Sequence, residues 1–519
     1  MATERPIDLE TLSLAAVLDG VLRGRAITVL GLARSGIALA RFLVDAGARV
    51  TVYDGRPATE LGDAIAQLGG RPVRLALGPD VEPASAWDGA ALVTTSPSIN
   101  PDYPTTEPRL RAALRNLVGA RRAGDPMAPA LVSEPDLFLR LCPAPTIGVT
   151  GTKGKTTTSS LIAAILAADP SHPVVLGGNI GIPLIERLAD LTPDHRVVIE
   201  LSELQLPTLS RGTTIAVYTN VTSDHLDRHG SLAGYRAAKR RLAELVDPDG
   251  ALILNGDDPV VAAYAADSRA RTVLYRLGEP PPGGVGLEDG RIVADRDGRR
   301  RIDVMAADEL TTPGAHNVAN ALAAVATALE LGLAPAAIRS AAMGFTGVEH
   351  RLEPAGETDG VRFVNDSQGT QPDAVIAALR AFGPPIVLIA GGRDKGVDLS
   401  DLPPVVAERA AAAVLIGESG PDLERRFRAA GLARTERAAT LEEAVRIADG
   451  IARELLVEGA ATGEGGSTDQ VWAPATVLLS PAAASFDMFV DYAARGRAFK
   501  EAVARLAEQR RTRPGGSDD

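Results

Sequence analysis

One stretch limits what this chain can fold into more than any other. Thr146 to Thr158 reads TIGVTGTKGKTTT, an apolar run followed by glycines and threonines around two lysines, and a helical SSLIAAILAA comes after it. A strand that turns through small residues into a helix lets backbone N–H groups converge on an anion, and the helix start adds a partial positive charge. Gly151, Gly154, Lys155 and Thr156 supply the turn, a lysine able to reach β- and γ-phosphates, and a hydroxyl for Mg2+. The strict G-x-x-x-x-G-K-[ST] spacing needs glycine at position 149, which here is Val149. The strand–loop–helix context and the G-K-T-T run predict a phosphate loop rather than a plain helix-capping turn.

The rest of the chain agrees with such a loop. Strand-like runs alternate with Ala/Leu-rich helical stretches from end to end, which predicts an α/β protein with mainly parallel sheets. At 519 residues the chain exceeds one core, and three blocks can be separated. The first opens with AITVLGLARSGIALARFLVDAGARVTVYD and runs to RRAGDPMAPALVSEP (121–135), which reads as a linker. The second runs from the phosphate loop to about Val348, and within it EPPPGGVGLEDGRIVADRDGRRR reads as an exposed hairpin region. The third contains PIVLIAGG, AAVLIGES and ATVLLSP. The expected domains are therefore 1–133, 134–348 and 349–519.

Several function classes are disfavoured at once. A net charge of −12 argues against a nucleic-acid partner, whose protein footprint is usually basic. Cys142 is the only cysteine, so neither an intramolecular disulfide nor a cysteine metal cluster is available. No apolar run reaches the roughly 18 residues needed to span a bilayer. The N-terminal stretch lacks the pattern of a signal peptide, and the chain reads as cytoplasmic with no membrane partner.

Other residues gather around the loop in sequence. VVIELSELQL puts Glu200 at the end of a strand, where a carboxylate can meet a cation at the tip of a parallel sheet. NVTSDHLDRHG offers Asp224, His225, Asp227 and His229, and YRAAKRRL offers Lys239, whose simplest reading is a solvated basic helix face. Mg2+ prefers oxygen ligands, so one carboxylate with Thr156 is a typical set. Asn317 and Asn320 fall near a helix start, where capping is the plain alternative to nucleotide contact. Arg351 and Asp366 follow in the third block, where an arginine can offset charge on a transferring phosphoryl group.

Taken together and in order, VLGLARSG, GTKGKTT, GGNIG, NVTSDHLDR, YRAAK, GAHNVANALAA, FTGVEHRLE, NDSQGTQPD, GGRDKG and LLSPAAASFDMF resemble the ATP-dependent Mur ligases of peptidoglycan synthesis. The resemblance covers nearly the whole chain. It implies an N-terminal Rossmann-like domain for the UDP part, a central P-loop ATPase, and a C-terminal Rossmann-like domain for the amino acid. It implies a monomer acting on UDP-MurNAc-L-Ala, D-glutamate and ATP, with two Mg2+ ions, through an acyl phosphate. Gly151, Thr152, Lys153, Gly154, Lys155, Thr156 and Thr157 would then hold the ATP phosphates, with Asn320, Arg351 and Asp366 on the nucleotide. Thr156, Glu200, His225 and a carbamylated Lys239 would bind metal, with Lys155, His225 and Lys239 as the catalytic set. Arg56, Ser96 and Asn179 would touch the UDP-sugar, and Thr370, Lys395, Ser485, Phe486 and Tyr492 would frame the amino acid.

The chain departs from the family pattern at identifiable points. N-D-S-K-A-T-N is usual, whereas Gln368 and Gly369 stand here for the lysine and the alanine. Glu203 and Leu204 replace a serine and a phenylalanine, and 109–127 looks inserted. The missing charge at Gln368 bears on the amino-acid pocket, so a sibling ligase adding L-glutamate or another residue, or a folylpolyglutamate synthase-like enzyme, is the alternative. A GTPase would show an N-K-x-D motif, which is absent. A dinucleotide oxidoreductase would rest on GLARSG alone, which has Ala33 where the middle glycine belongs, although Asp54 suits a ribose contact.

Overall fold

The apolar runs form three sheets, as their alternation with helical stretches requires. The computed structural model describes residues 5–181, 183–222, 229–295, 301–312, 314–394, 398–462 and 474–511. By backbone contacts the chain divides into two compact units, Met1–Phe345 and Thr346–Asp519, and the first contains two of the sheets.

The first sheet contains β1 (Ala26–Leu30), β2 (Arg49–Asp54), β3 (Val73–Leu77), β4 (Leu92–Thr95) and β5 (Ala130–Ser133). They pair in the order β3-β2-β1-β4-β5, all parallel. The strand order reverses between β1 and β4, and in such sheets ligands bind beyond the carboxyl ends at that point. The segment read as a linker in fact supplies β5, because ALVS carries enough buried apolar surface to pair with β4. The apparent insertion begins as the helix Pro108–Arg122. Its first turn is capped by the Glu107 carboxylate, and Leu110, Leu114 and Leu117 face inward beside Trp87.

The second sheet contains β6 (Thr146–Thr150), β7 (Val174–Gly178), β8 (Arg196–Glu200), β9 (Ile215–Tyr218), β10 (Ala251–Asn255), β11 (Arg271–Arg276), β12 (Val285–Glu288), β13 (Arg291–Asp295) and β14 (Arg301–Ala306). The order is β14-β13-β12-β11-β10-β9-β6-β8-β7, parallel except for the antiparallel pairs β12–β13 and β13–β14. β6 and β8 are buried at every position, as expected for central strands covered on both faces. The expected hairpin is present, but it is not simply exposed, since Val285, Ile292 and Val293 are buried. Helix Ala315–Glu330 packs on helix Lys155–Leu166, and its buried run of alanines permits a close approach.

The second unit holds β15 (Glu353–Thr358), β16 (Val361–Asn365), β17 (Ile386–Gly391), β18 (Ala412–Ile416), β19 (Thr435–Arg437) and β20 (Ala475–Leu479). The order is β15-β16-β20-β17-β18-β19, with only the β15–β16 pair antiparallel. An α/β architecture with mainly parallel sheets is therefore what the sequence led us to expect.

Candidate functional site

The phosphate loop leaves the carboxyl end of β6, and its glycines are there because nothing larger fits. Gly151 has φ +151°, and a Cβ on it would run into the Thr219 hydroxyl. Gly154 has φ +83°, and a Cβ there would lie 2.7 Å from Asn320 Oδ1. The loop is also held from outside. Thr152 N donates to Asn220 O at 2.7 Å, and Lys153 N to Asn220 Oδ1 at 3.0 Å. Asn220 Nδ2 returns a bond to Lys153 O at 2.9 Å, and the Thr152 and Tyr235 hydroxyls meet at 2.9 Å.

Helix Lys155–Leu166 starts at Gly154, which offers no side-chain cap, so the first-turn N–H groups are left without a side-chain acceptor there. Lys155 Nζ folds back on Thr152 O at 2.9 Å, and Thr156 is buried at the first turn. Asn320 is not a helix cap. It sits in the second turn of its helix and accepts from Thr158 Oγ1 at 3.1 Å.

Two ionisable side chains back the loop. Glu200 ends β8 in register with Val149 of β6 and is 1% exposed. Its Oε1 accepts from Asn179 Nδ2 at 2.7 Å, while the buried Oε2 has no partner among the described residues. Lys239 is completely buried rather than part of a solvated face. Its Nζ donates to Gly151 O at 2.9 Å and to Thr150 Oγ1 at 3.2 Å, directly beneath the loop. Among the described residues no group of three or more His, Cys, Asp or Glu is arranged to hold a metal. A cation here would rely on hard oxygens, and the unengaged Glu200 Oε2 suits Mg2+. His225 and Lys395 lie outside the described residues.

A second concavity opens at the strand-order reversal of the first sheet. A cavity of about 550 Å3 is lined by Gly31, Asp54, Arg56, Ser98, Ile99 and Glu107, among others. Asp54 accepts from Leu32 N at 2.8 Å and from the Arg56 fork at 3.0 and 2.8 Å. Burial works to raise its pKa, but the bonds from Arg56 and Leu32 outweigh it and hold the carboxyl below its usual value. With both oxygens engaged, Asp54 orders the turn after β1 and orients Arg56. Ser96 lies nearby, its hydroxyl 3.2 Å from that of Ser98. Asn179 is not among the residues that line this cavity, and its side-chain N–H donates to Glu200 Oε1.

In the second unit, the loops after β16, β17, β18 and β20 all leave the carboxyl edge of the sheet. Asp366 is buried, with Ser480 Oγ donating to its Oδ2 at 2.6 Å and Leu352 N to its Oδ1 at 3.2 Å. Burial pushes its pKa up to about 6 against those bonds. Arg351 is exposed between His350 and Leu352, whose φ values of +64° and +45° bend the chain sharply there. Gly369 fits tightly, since a Cβ would run into Asp366 Oδ2 and stand 2.6 Å from Ser480 Oγ. Gln368 N donates to His350 O at 2.9 Å, and its side-chain oxygen is buried without a partner among the described residues. Thr370 N donates to Gln368 O at 2.8 Å, Ser485 is buried, and Phe486 is 63% exposed. Tyr492 O accepts from Ser367 Oγ at 2.7 Å.

The sequence reading missed Asn220, Tyr235 and Ser367, each of which acts on a loop far away in the chain. Only the strand-end position of Asn220 carried any hint of this.

Comparison with known proteins finds relatives over most of the chain. Residues 149–328 match the Mur ligase middle domain, and residues 350–458 match the Mur ligase, glutamate ligase domain. The UDP-N-acetylmuramoylalanine--D-glutamate ligase of Symbiobacterium thermophilum is 39% identical over 494 residues, covering 94% of this chain and 100% of that protein. The protein of the same name from Pelotomaculum thermopropionicum is 39% identical over 482 residues, covering 92% of this chain and 97% of its own. Among solved structures, UDP-N-acetylmuramate-alanine ligase from Thermotoga maritima matches at 20% identity with a TM-score of 0.49, covering 93% of this chain and 99% of that one.

Proposed function

The chain belongs to the Mur ligase family, and we propose that it is the ATP-dependent ligase that adds D-glutamate to UDP-N-acetylmuramoyl-L-alanine, releasing ADP and phosphate. Likeness to relatives of that name over 92% and 94% of this chain, at 39% identity, is the observation that carries this reading.

The chemistry follows from what a carboxylate lacks. Its oxygen is a poor leaving group, so an amine does not displace it. The alanyl carboxylate oxygen first attacks the γ-phosphorus of ATP, and the bond from that phosphorus to ADP breaks. The amino nitrogen of glutamate then attacks the acyl carbon, forming a tetrahedral intermediate. Its collapse breaks the carbon–oxygen bond to phosphate, and the nitrogen gives up a proton.

Lys155, freed from Thr152 O, neutralises charge on the transferring group, and the loop N–H groups cradle the phosphates. Bound Mg2+ would offset the negative charge that the phosphate oxygens carry. Thr156, Glu200 and a carbamylated Lys239 would hold it, with His225 near a second ion. Carbamylation would turn the buried Lys239 amine into a carboxylate-like ligand. We assign residues 1–133 to the UDP part, 134–348 to ATP and 349–519 to the amino acid. Arg56, Ser96 and Asn179 serve the first, Asn320, Arg351 and Asp366 the nucleotide, and Thr370, Lys395, Ser485, Phe486 and Tyr492 the third. We read the enzyme as a cytoplasmic monomer.

The test is ADP release with UDP-N-acetylmuramoyl-L-alanine and a panel of acceptors. D-glutamate is expected to support turnover. Turnover only with L-glutamate or another amino acid would overturn the assignment.

A further inference from the structure

Arg495 is the largest fully buried side chain among the described residues, at 1% exposed, and it forms no ion pair among them. Its partners are a hydroxyl and three backbone carbonyls. Nε donates to Ser367 Oγ at 3.0 Å, Nη2 to Ser367 O at 3.0 Å and Ala483 O at 3.2 Å, and Nη1 to Ala484 O at 3.3 Å. One planar fork therefore ties the loop after β16 to the loop after β20. The loop after β17 also leans on it, because a Cβ on Gly392 would stand 3.1 Å from Nη1.

A buried cation with no carboxylate in contact is expensive even with Asp487 near enough to favour its charge, and an apolar side chain of similar size would pack there without that cost. The cost shows as a pKa pushed down to about 10 by burial, which still leaves the guanidinium charged at neutral pH. What an apolar residue cannot do is hold two loops at a fixed separation. Lysine would keep the charge but present its donors from a single nitrogen, which cannot span four acceptors on two loops.

The two loops carry Thr370 on one side and Ser485 and Phe486 on the other. We propose that Arg495 is a positioning residue of the acceptor pocket: its fork sets the separation of residues 366–370 and 480–486, and so the fit of an incoming amino acid that bears carboxylates. With Gln368 where the family pattern has lysine, the Arg495 charge also favours an anionic acceptor. The inference rests on the assignment of the amino-acid pocket to this sheet.

Arg495→Lys and Ser367→Ala test it, with KM measured for D-glutamate, the UDP-substrate and ATP, and the acyl phosphate trapped by hydroxylamine without glutamate. Arg495→Lys should raise the glutamate KM on the order of tenfold, with the other two KM values within about twofold and trapping retained. Ser367→Ala should shift glutamate KM the same way by less. An unchanged glutamate KM, a common rise in all three, or lost trapping in a folded Arg495→Lys variant would overturn the proposal. If that variant does not fold, Ser367→Ala decides, and no glutamate-selective shift counts against the proposal. Ser485→Ala separates the two layers: no change in its glutamate KM removes the pocket assignment itself, whereas a change there with none at Arg495 removes only Arg495.

Discussion

The Asn179 side-chain amide donates to Glu200 Oε1 at 2.7 Å, and its backbone N–H donates to Glu200 O at 2.9 Å, so one residue holds both ends of the other. The carboxylate is thereby turned so that only Oε2 is free among the described residues. Removing the amide in Asn179→Ala should raise the Mg2+ concentration for half-maximal turnover by roughly tenfold or more, the usual effect of losing a residue that orients a metal ligand. A Mg2+ titration of ADP release checks this. If Asn179 serves only the UDP-sugar, that substrate's KM moves and the Mg2+ requirement does not.

Lys239 should carry a carboxylate on Nζ in the purified enzyme. The buried amine already bonds Gly151 O and Thr150 Oγ1 under the loop, where a cation adds nothing to metal binding and an anion does. Native mass measurement should show the added mass of one carbon dioxide, lost on acid treatment. Depleting bicarbonate should lower turnover, and restoring it should return the activity. An unmodified lysine in fully active enzyme would refute the modification.

Gly369→Ala should destabilise the second unit by about 1–3 kcal/mol, the usual scale of overpacking. The added methyl would displace the Asp366 carboxylate or the Ser480 hydroxyl, which share a 2.6 Å hydrogen bond. A lower Tm together with a raised KM is expected, and Gly369→Ala at wild-type Tm would contradict the crowding.

Glu134 gives a pH dependence with a definite sign. It is 5% exposed, and its Oε1 accepts only a long 3.4 Å bond from Ile185 N, so burial raises its pKa from 4.5 to about 7. Between those values the folded chain holds a proton that the unfolded chain has released, and stability therefore falls as pH rises through this window. Glu134→Gln removes that fall, and at pH 8 it should be more stable than the parent by an amount on the order of 3 kcal/mol. Denaturant melts at pH 5 and pH 8 provide the comparison, and equal slopes with pH in the two proteins would count against it.

The phosphate loop could be read from residues because its chemistry is local: strand, small residues, lysine and hydroxyl lie within one short run. Lys239 was harder, since the stretch YRAAKRRL offers three neighbouring bases and composition does not say which turns inward. The spacing does. Tyr235, Ala238, Lys239 and Leu242 form one buried stripe, while Arg240 and Arg241 pair with Glu244 outside. The grip of Asn179 on Glu200 could not be read, because it depends on β7 pairing with β8 across the turn-rich segment between them. β5 was hidden for a related reason. Four residues, three of them buried, among prolines and arginines look like a connector until a neighbouring strand is there to pair with them.

β20 lies between β16 and β17 although it follows both of them, and β18 and β19 as well, along the chain. Until residues 475–479 emerge, β16 and β17 each lack a neighbour, and the inner edges of a half-built sheet stay open. A nascent chain stalled just before Ala475 should therefore be far more sensitive to protease and more prone to aggregate than one stalled well after Leu479, and this unit's sheet stays incomplete until β20 has been made.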